Sequence, residues 1–291
     1  MAKPLAEQKA ERVTLDDAIR RVRYEGWCAL DAVIPPDQVA AVRDEVVRIG
    51  EAQRPKEWDG RDHIDALINK TQVFAPYVLD HRILGVAEAL FGPHVRISMT
   101  HGHTQAPGYT RNNWHGDWPF SLTQDAIIKA PYTQRQPVHV TTLWALTDFT
   151  AETGGTVIVP GTHTAGNSPG GDLDYDQYQP IASERQPEMR PGDVLIFDSR
   201  MWHTNGTNHS DELRVSMAVR YAPWWLNVLS IVPGLADYEE TARRRGGLRA
   251  HDVMGMSRDV FDALPAEAQP LFRHMLVGQR VPSAAEVLAD A

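Results

Sequence analysis

The sequence predicts a mainly β chain with helices at both ends, folded as a sandwich or barrel. Three observations carry this. From Pro93 to Ala222, short runs rich in β-branched and aromatic residues are separated by Gly, Pro and Asn clusters. Helix-spaced apolar residues lie before and after this stretch instead of alternating with its strands, which argues against a doubly wound parallel sheet. No internal repeat or low-complexity tract divides the chain, so residues 1–291 read as one domain. Within it, 15–93 form an N-terminal helical part, 94–222 the β core and 223–291 a C-terminal helical extension.

Thr14 is an N-cap candidate, with Asp17 three residues on and Ala18, Ile19 and Val22 at helical spacing in a helix that ends at Gly26. Trp27 to Leu30 reads as a short strand. Pro35-Pro36-Asp37 opens a second helix through Ile49, with Val39, Val42, Val46 and Ile49 on one face. The charged stretch from Pro55 to Asp65 reads as a loop. Val73 to Leu79 and Arg82 to Phe91 are helical by spacing, and Gly92-Pro93 stops them. Strands are expected near Val95–Gln105, Trp114–Trp118, Val138–Leu146, Gly155–Val159, Asp193–Phe197, His203–Thr204 and Arg214–Tyr221. From Asp237 to Leu288 helical spacing returns, broken by Pro265, Pro270 and Pro282.

A net charge of -9 argues against nucleic acid or an anionic membrane as partner, and the largest basic cluster, Arg243-Arg244-Arg245, reads as a solvated helix face. One cysteine, Cys28, excludes an internal disulfide framework and Cys-based metal sites. Met1 to Thr14 lacks the apolar run of a signal peptide, so the expected location is the cytoplasm.

The chemistry gathers around Trp114-His115-Gly116-Asp117-Trp118. On a strand, residues two apart share a face, so His115 and Asp117 can point at one ion, as two ligands of a 2-His-1-carboxylate site do. The pair alone is weak evidence. About one to two His-x-acid pairs are expected by chance in this composition, and three occur: His63 with Asp65, His115 with Asp117, and His209 with Asp211. His63 and His209 lie in polar stretches that read as solvated loops, whereas His115 has an aromatic frame that can exclude water. A core hydrogen bond is the plainer alternative for that pair. Downstream, the turn Pro191-Gly192-Asp193 leads through an apolar strand to His203, which can complete a ligand set. Arg214 then offers a planar fork for a carboxylate, with Ser216 on the same strand face.

These pieces, with Tyr24-Glu25-Gly26-Trp27, Pro35 to Val39, Leu90 to Pro93 and Thr153-Gly154-Gly155 through Pro160-Gly161-Thr162-His163, resemble the phytanoyl-CoA dioxygenase family of Fe(II)/2-oxoglutarate-dependent oxygenases. The resemblance spans Tyr24 to Ala222. It implies a double-stranded β-helix (jelly-roll, cupin-like) core, with Fe(II) held by His115, Asp117 and His203 and the 2-oxoglutarate carboxylate on Arg214. It implies Trp144 beside that cosubstrate, with Thr104 and Asn205 as further polar contacts. Gly116 stands where many relatives carry Gln. The implied reaction couples O₂ and the decarboxylation of 2-oxoglutarate, giving succinate and CO₂, to oxidation of a small molecule. Hydroxylation is the default outcome, and the presence of Asp117 disfavours halogenation. A cupin-like metal enzyme that does not use 2-oxoglutarate, or a silent binding barrel, would share the fold without Arg214 in that role.

His101 and His103 share a strand face opposite Thr100, Gly102 and Thr104, so only one of the two faces can look inward. His163 and His139 read as structural, and Ser168 and Ser199 lack a nucleophile-elbow setting. Trp118, Phe120, Trp202, Trp224 and Trp225 are candidates for a substrate wall, and Arg111, Lys129, Arg135 and Arg220 for a substrate carboxylate. Gly108–Asn113 and Gly166–Pro180 are candidate lids.

Overall fold

Thr14 does cap the first helix, α1 (Leu15–Tyr24), its hydroxyl accepting from the Asp17 amide. This computed structural model describes residues 13–121, 137–165, 168–169, 176–228, 236–244 and 255–277. The chain passes through β1 (Trp27–Leu30) to α2 (Val39–Gln53), β2 (Arg61–Ile64), α3 (His81–Phe91) and β3 (Arg96–Gln105). It continues with β4 (Val140–Ala145), β5 (Thr156–Ile158), β6 (Val194–Asp198), β7 (His203–Asn205) and β8 (Arg214–Ala222). Short helices at Ala236–Arg244, Arg258–Asp262 and Gln269–Phe272 follow.

Expectations for the N-terminal half change in three places. Pro35-Pro36 forms a turn, with the Gln38 amide on the Pro35 carbonyl, so α2 begins at Val39. Of Val73–Leu79 only Tyr77–Leu79 is helical, as a single 3₁₀ turn. The supposed loop before Asp65 contains β2, an edge strand paired antiparallel with β3. Its charged composition hid it, because an edge strand buries only one face and tolerates polar residues on the other.

Six strands pair antiparallel in the order β1-β6-β4-β8-β3-β2, and β5 and β7 form a second, two-stranded sheet. Strand alternation gives the large sheet two different faces. One face, with Trp144, Val194, Ile196, Val215, Met217, Val219 and Tyr221, packs in a single core with Val42 and Val46 of α2 and Ile83 and Val86 of α3. From the other, Ala145, Leu195 and Phe197 meet Phe149, Ile158, Met189 and Met201 on the side of the small sheet. The result is an open jelly-roll core with helices outside and a cleft between the sheets. The 255–277 segment is tied back by Asn69 Nδ2 on the Gly255 carbonyl and Gln72 Nε2 on the Val260 carbonyl, both at 2.6 Å. No described helix is long and apolar enough to cross a membrane.

Candidate metal centre

The His115–Asp117 stretch is not the strand expected from its sequence but a single antiparallel bridge. His115 and His203 exchange backbone hydrogen bonds of 3.1 and 3.0 Å. Trp118 instead leads into a turn, in which the Phe120 and Ser121 amides reach back to the Asp117 carbonyl. The bridge is sufficient for the site, because it sets the two imidazoles side by side with ring centroids 4.3 Å apart. The Asp117 amide donates to the Ser199 carbonyl at 2.8 Å, fixing the third residue to the same strand connection.

Each imidazole is oriented through its Nδ1, that of His115 at 3.2 Å from the Asn113 carbonyl and that of His203 at 3.0 Å from the Met201 carbonyl. Nε2 is thereby turned toward the cleft, the arrangement by which a backbone carbonyl fixes the tautomer of a metal-ligating histidine. Donor atoms of His115, Asp117 and His203 all lie within 4.8 Å of one another. Two neutral imidazoles and one carboxylate are a donor set suited to a divalent first-row metal, so the residues fit such an ion.

Asp117 is held by its neighbours on both oxygens. Arg220 Nη2 donates to Oδ1 at 2.6 Å and the Thr141 hydroxyl to Oδ2 at 2.5 Å. Behind Thr141 runs a buried chain in which Ser199 Oγ lies 2.8 Å from both Thr141 Oγ1 and His139 Nδ1, and His139 Nε2 lies 2.7 Å from Ser98 Oγ. Burial opposes ionisation of Asp117, yet the Arg220 guanidinium, the two imidazoles and the Thr141 bond outweigh it and hold the carboxyl far below the usual range. Burial, reinforced by His203, pushes His115 down to about 3, and burial also lowers His203. At neutral pH the trio is therefore two neutral rings and one anion.

A cavity of about 230 Å³ opens from these three residues. Arg214 lines it, buried, with Nη1 donating to the Gly154 carbonyl at 3.1 Å and its guanidinium 4.7 Å from the Phe149 ring centroid. Its Nε has no acceptor and, among the described residues, no carboxylate pairs with it. Burial pushes its pKa to about 9, with Arg61 adding repulsion. Gly154 presents that carbonyl from a left-handed turn, φ +74°, in which a Cβ would sit 2.7 Å from the Gly206 carbonyl oxygen. No side chain fits there.

Ser216 and Asn205 also line the cavity. Trp144 and Thr104 do not. Trp144 is fully buried on the helix-facing side of β4, its indole N–H donating to Thr142 Oγ1 at 2.8 Å, while Leu143 takes the cavity side. Thr104 turns its hydroxyl to Asp62 at 2.6 Å, away from the cleft, because His101, His103 and Gln105 occupy the inward face of β3. Strand alternation makes these choices mutually exclusive. Gly116 is explained by packing, since its amide donates to Ser168 Oγ at 2.9 Å and a Cβ would lie 2.8 Å from that oxygen.

Of the cations considered for a substrate, Arg220 is bound to Asp117 and Arg111 to Glu184 at 2.8 Å, while Lys129 and Arg135 lie outside the described residues. Among the aromatics only Trp118 lines the cavity. Phe120 is buried elsewhere, Trp202 packs with Trp114, Val157 and Val159, and Trp224 and Trp225 are exposed. Gly108–Asn113 is a described loop; of Gly166–Pro180, positions 166–167 and 170–175 lie outside the described residues. Sequence reading missed Arg61, His63, Gln105, Leu143 and Thr156, all lining the cavity. His63, read as a loop residue, sits on β2 directly opposite His103. The one available signal was the alternation within Arg61-Asp62-His63-Ile64, too short to outweigh its charge.

An open antiparallel jelly roll whose cleft gathers two imidazoles and a carboxylate from one bridge defines the structural class. The chain belongs to the phytanoyl-CoA dioxygenase (PhyH) family, whose pattern matches residues 22–216. Curated relatives include the dioxygenase af480 of Aspergillus fumigatus, 24% identical over 218 residues covering 69% of this chain and 64% of that protein. The dioxygenase andF of Emericella variicolor is 38% identical over 163 residues, 54% of this chain and 52% of that one. The chain thus matches less than two thirds of the length of either relative. Among solved structures, the epimerase SnoN in complex with Fe3+, alpha ketoglutarate and nogalamycin RO superposes with a TM-score of 0.58 at 20% identity, covering 76% of this chain and 91% of that one. That likeness is one of fold.

Proposed function

We propose that the protein is an Fe(II)- and 2-oxoglutarate-dependent oxygenase that hydroxylates an unactivated C–H bond of a small molecule. The observation that carries this reading is the pairing, across one cavity, of the His115–Asp117–His203 donor set with a buried guanidinium, Arg214, that lacks a carboxylate partner among the described residues. The metal, when bound with the 2-oxo acid and O₂, supplies the oxidising chemistry that converts 2-oxoglutarate to succinate and CO₂. His115, Asp117 and His203 would hold it through two imidazole nitrogens and a carboxylate oxygen. Arg220 and Thr141 keep Asp117 ionised and oriented. Arg214, with Ser216 on the same strand face, receives the distal carboxylate of the 2-oxo acid, which fixes that molecule in one direction. Family membership supports the cosubstrate, and the dioxygenase names of the relatives agree with it. SnoN is named an epimerase, so hydroxylation as the outcome is our reading of the default for this metal and cosubstrate.

Two anaerobic titrations test it. Fe(II) affinity is expected to fall in Asp117→Ala, and equal affinity would leave the donor set without support. In Arg214→Ala, 2-oxoglutarate is expected to bind about 10- to 150-fold more weakly with Fe(II) binding intact, the loss of one charge-assisted contact. Unchanged 2-oxoglutarate affinity would sink the cosubstrate assignment.

A further inference from the structure

The cavity has a second polar wall that the proposed reaction leaves unused. The β2–β3–β8 register places Arg61 opposite Gln105 and His63 opposite His103, while Gln105 and His103 lie opposite Arg214 and Ser216 on the other side. His63, His101 and His103 converge there, with donor atoms within 4.8 Å of one another and ring centroids 4.6 to 6.0 Å apart. Arg61 reaches over two of these rings, Nη2 lying 3.4 Å from His63 Nδ1 and 3.5 Å from His103 Nδ1. Its buried Nε has no acceptor and, among the described residues, no carboxylate pairs with it.

Three imidazoles so placed would by themselves suit a cation. Arg61 argues otherwise, because a guanidinium at hydrogen-bond distance from two of the three rings repels a divalent ion and attracts an anion. The charge balance of the cavity agrees. Among the described residues the only carboxylate that lines it is Asp117, which already pairs with Arg220, and Asp65, next to the cluster, is bound to His63 Nε2 at 3.0 Å. On the proposed function, a divalent metal and a dianionic 2-oxo acid offset each other and Arg214 serves the latter, so Arg61 remains an unbalanced cation facing the substrate space. Burial holds the His103 imidazole neutral, with the nearby His63 and Arg61 acting the same way, and burial also lowers His63. His63 Nε2 is already bound to Asp65 Oδ1 at 3.0 Å, so the neutral His103 ring is the one that keeps an N–H to donate beside the guanidinium.

We propose that Arg61, flanked by His63 and His103, is a subsite for an oxyanion of the substrate, so that the enzyme acts on an acidic small molecule carrying a carboxylate or phosphate. The reaction class and the subsite's role toward substrate rest on the function proposed above; its affinity for an anion rests on Arg61 and the adjoining imidazoles alone. The test uses benzoate and inorganic phosphate as probes on the full chain, followed through the histidine ring signals by NMR. One arm is free of metal and 2-oxoglutarate, and the other is loaded with Zn(II) and 2-oxoglutarate.

Saturable shifts at His63 and His103 with at least one probe are expected in both arms. They should weaken roughly tenfold or more in Arg61→Gln and recover in part in Arg61→Lys, which restores the charge without the fork. A preference for benzoate or for phosphate assigns the oxyanion. The affinity for 2-oxoglutarate is expected to stay unchanged in Arg61→Gln. Absence of saturation by both probes below about 100 mM, weaker than any useful anion contact, would overturn the subsite. So would a loss of 2-oxoglutarate affinity in Arg61→Gln, which would assign Arg61 to the cosubstrate, or a second equivalent of Zn(II) abolished by His103→Ala. Failure to bind 2-oxoglutarate at all would overturn the proposed function and leave the metal-free arm to decide the subsite.

Discussion

Arg220→Met is expected to make the stability of this protein depend on its metal. Arg220 pairs with Asp117 at 2.6 Å, and both side chains are largely buried. At an effective dielectric of about 20 the attraction across that distance is on the order of 6 kcal/mol, before the cost of removing both groups from water. Breaking such a buried pair from one side costs about 3–5 kcal/mol, because the remaining charge is left uncompensated. Methionine keeps most of the stem volume, so packing loss adds little. Metal-free Arg220→Met should therefore lose about 3–5 kcal/mol, a fall in Tm on the order of 10 °C for a chain of this size. A divalent ion at Asp117 replaces the missing positive charge, so the deficit should shrink to less than half with saturating Ni(II), a stable stand-in for Fe(II). Urea unfolding of both proteins with and without Ni(II) gives the four numbers needed. An equal loss in the two conditions would refute the idea that Arg220 and the metal neutralise the same carboxylate, and no loss in the metal-free state would refute the pair itself.

Trp144→Phe should lower stability by about 1–2 kcal/mol, from a lost indole bond to Thr142 and a small void, while leaving 2-oxoglutarate affinity within about twofold. A tenfold loss of affinity at unchanged stability, measured by calorimetry and urea unfolding, would place this residue at the cosubstrate after all. Acid should destabilise the metal-free protein through His139, whose pKa burial and the nearby Arg220 push from 6.5 to about 3. The folded state keeps this ring neutral, so its contribution is complete above pH 6.5 and is lost as pH falls from there toward 3. At about pH 5 the loss is roughly 2 kcal/mol for this group alone. A flat unfolding free energy between about pH 7 and 5, or one whose slope is unaltered in His139→Gln, would contradict this.

The amino-acid sequence alone determined most of the core strands and the residue types of the candidate site. β-Branched and apolar runs between turn residues specify the strands in the core, alternating in β8 and continuous in β6. Thr14 and Asp80 specify helix starts through side-chain bonds within the next turn. His115, Asp117, His203 and Arg214 were legible as a set because their types and order carry the chemistry with little dependence on register. Tertiary structure decided whatever depended on pairing. Which face of β3 looks into the cleft follows from its neighbours, and it displaces Thr104 in favour of His101 and His103. Trp144 falls on the helix side by the same alternation, one residue from Leu143 on the cavity side. Strand β2 exists because β3 offers it an edge, and only that pairing carries Arg61 and His63 to the cavity. Local sequence encodes periodicity and capping, which act within a turn or a strand. Register and facing are set by contacts between residues far apart in the chain, here the 42 positions that separate Arg61 from His103, and no local pattern carries that information.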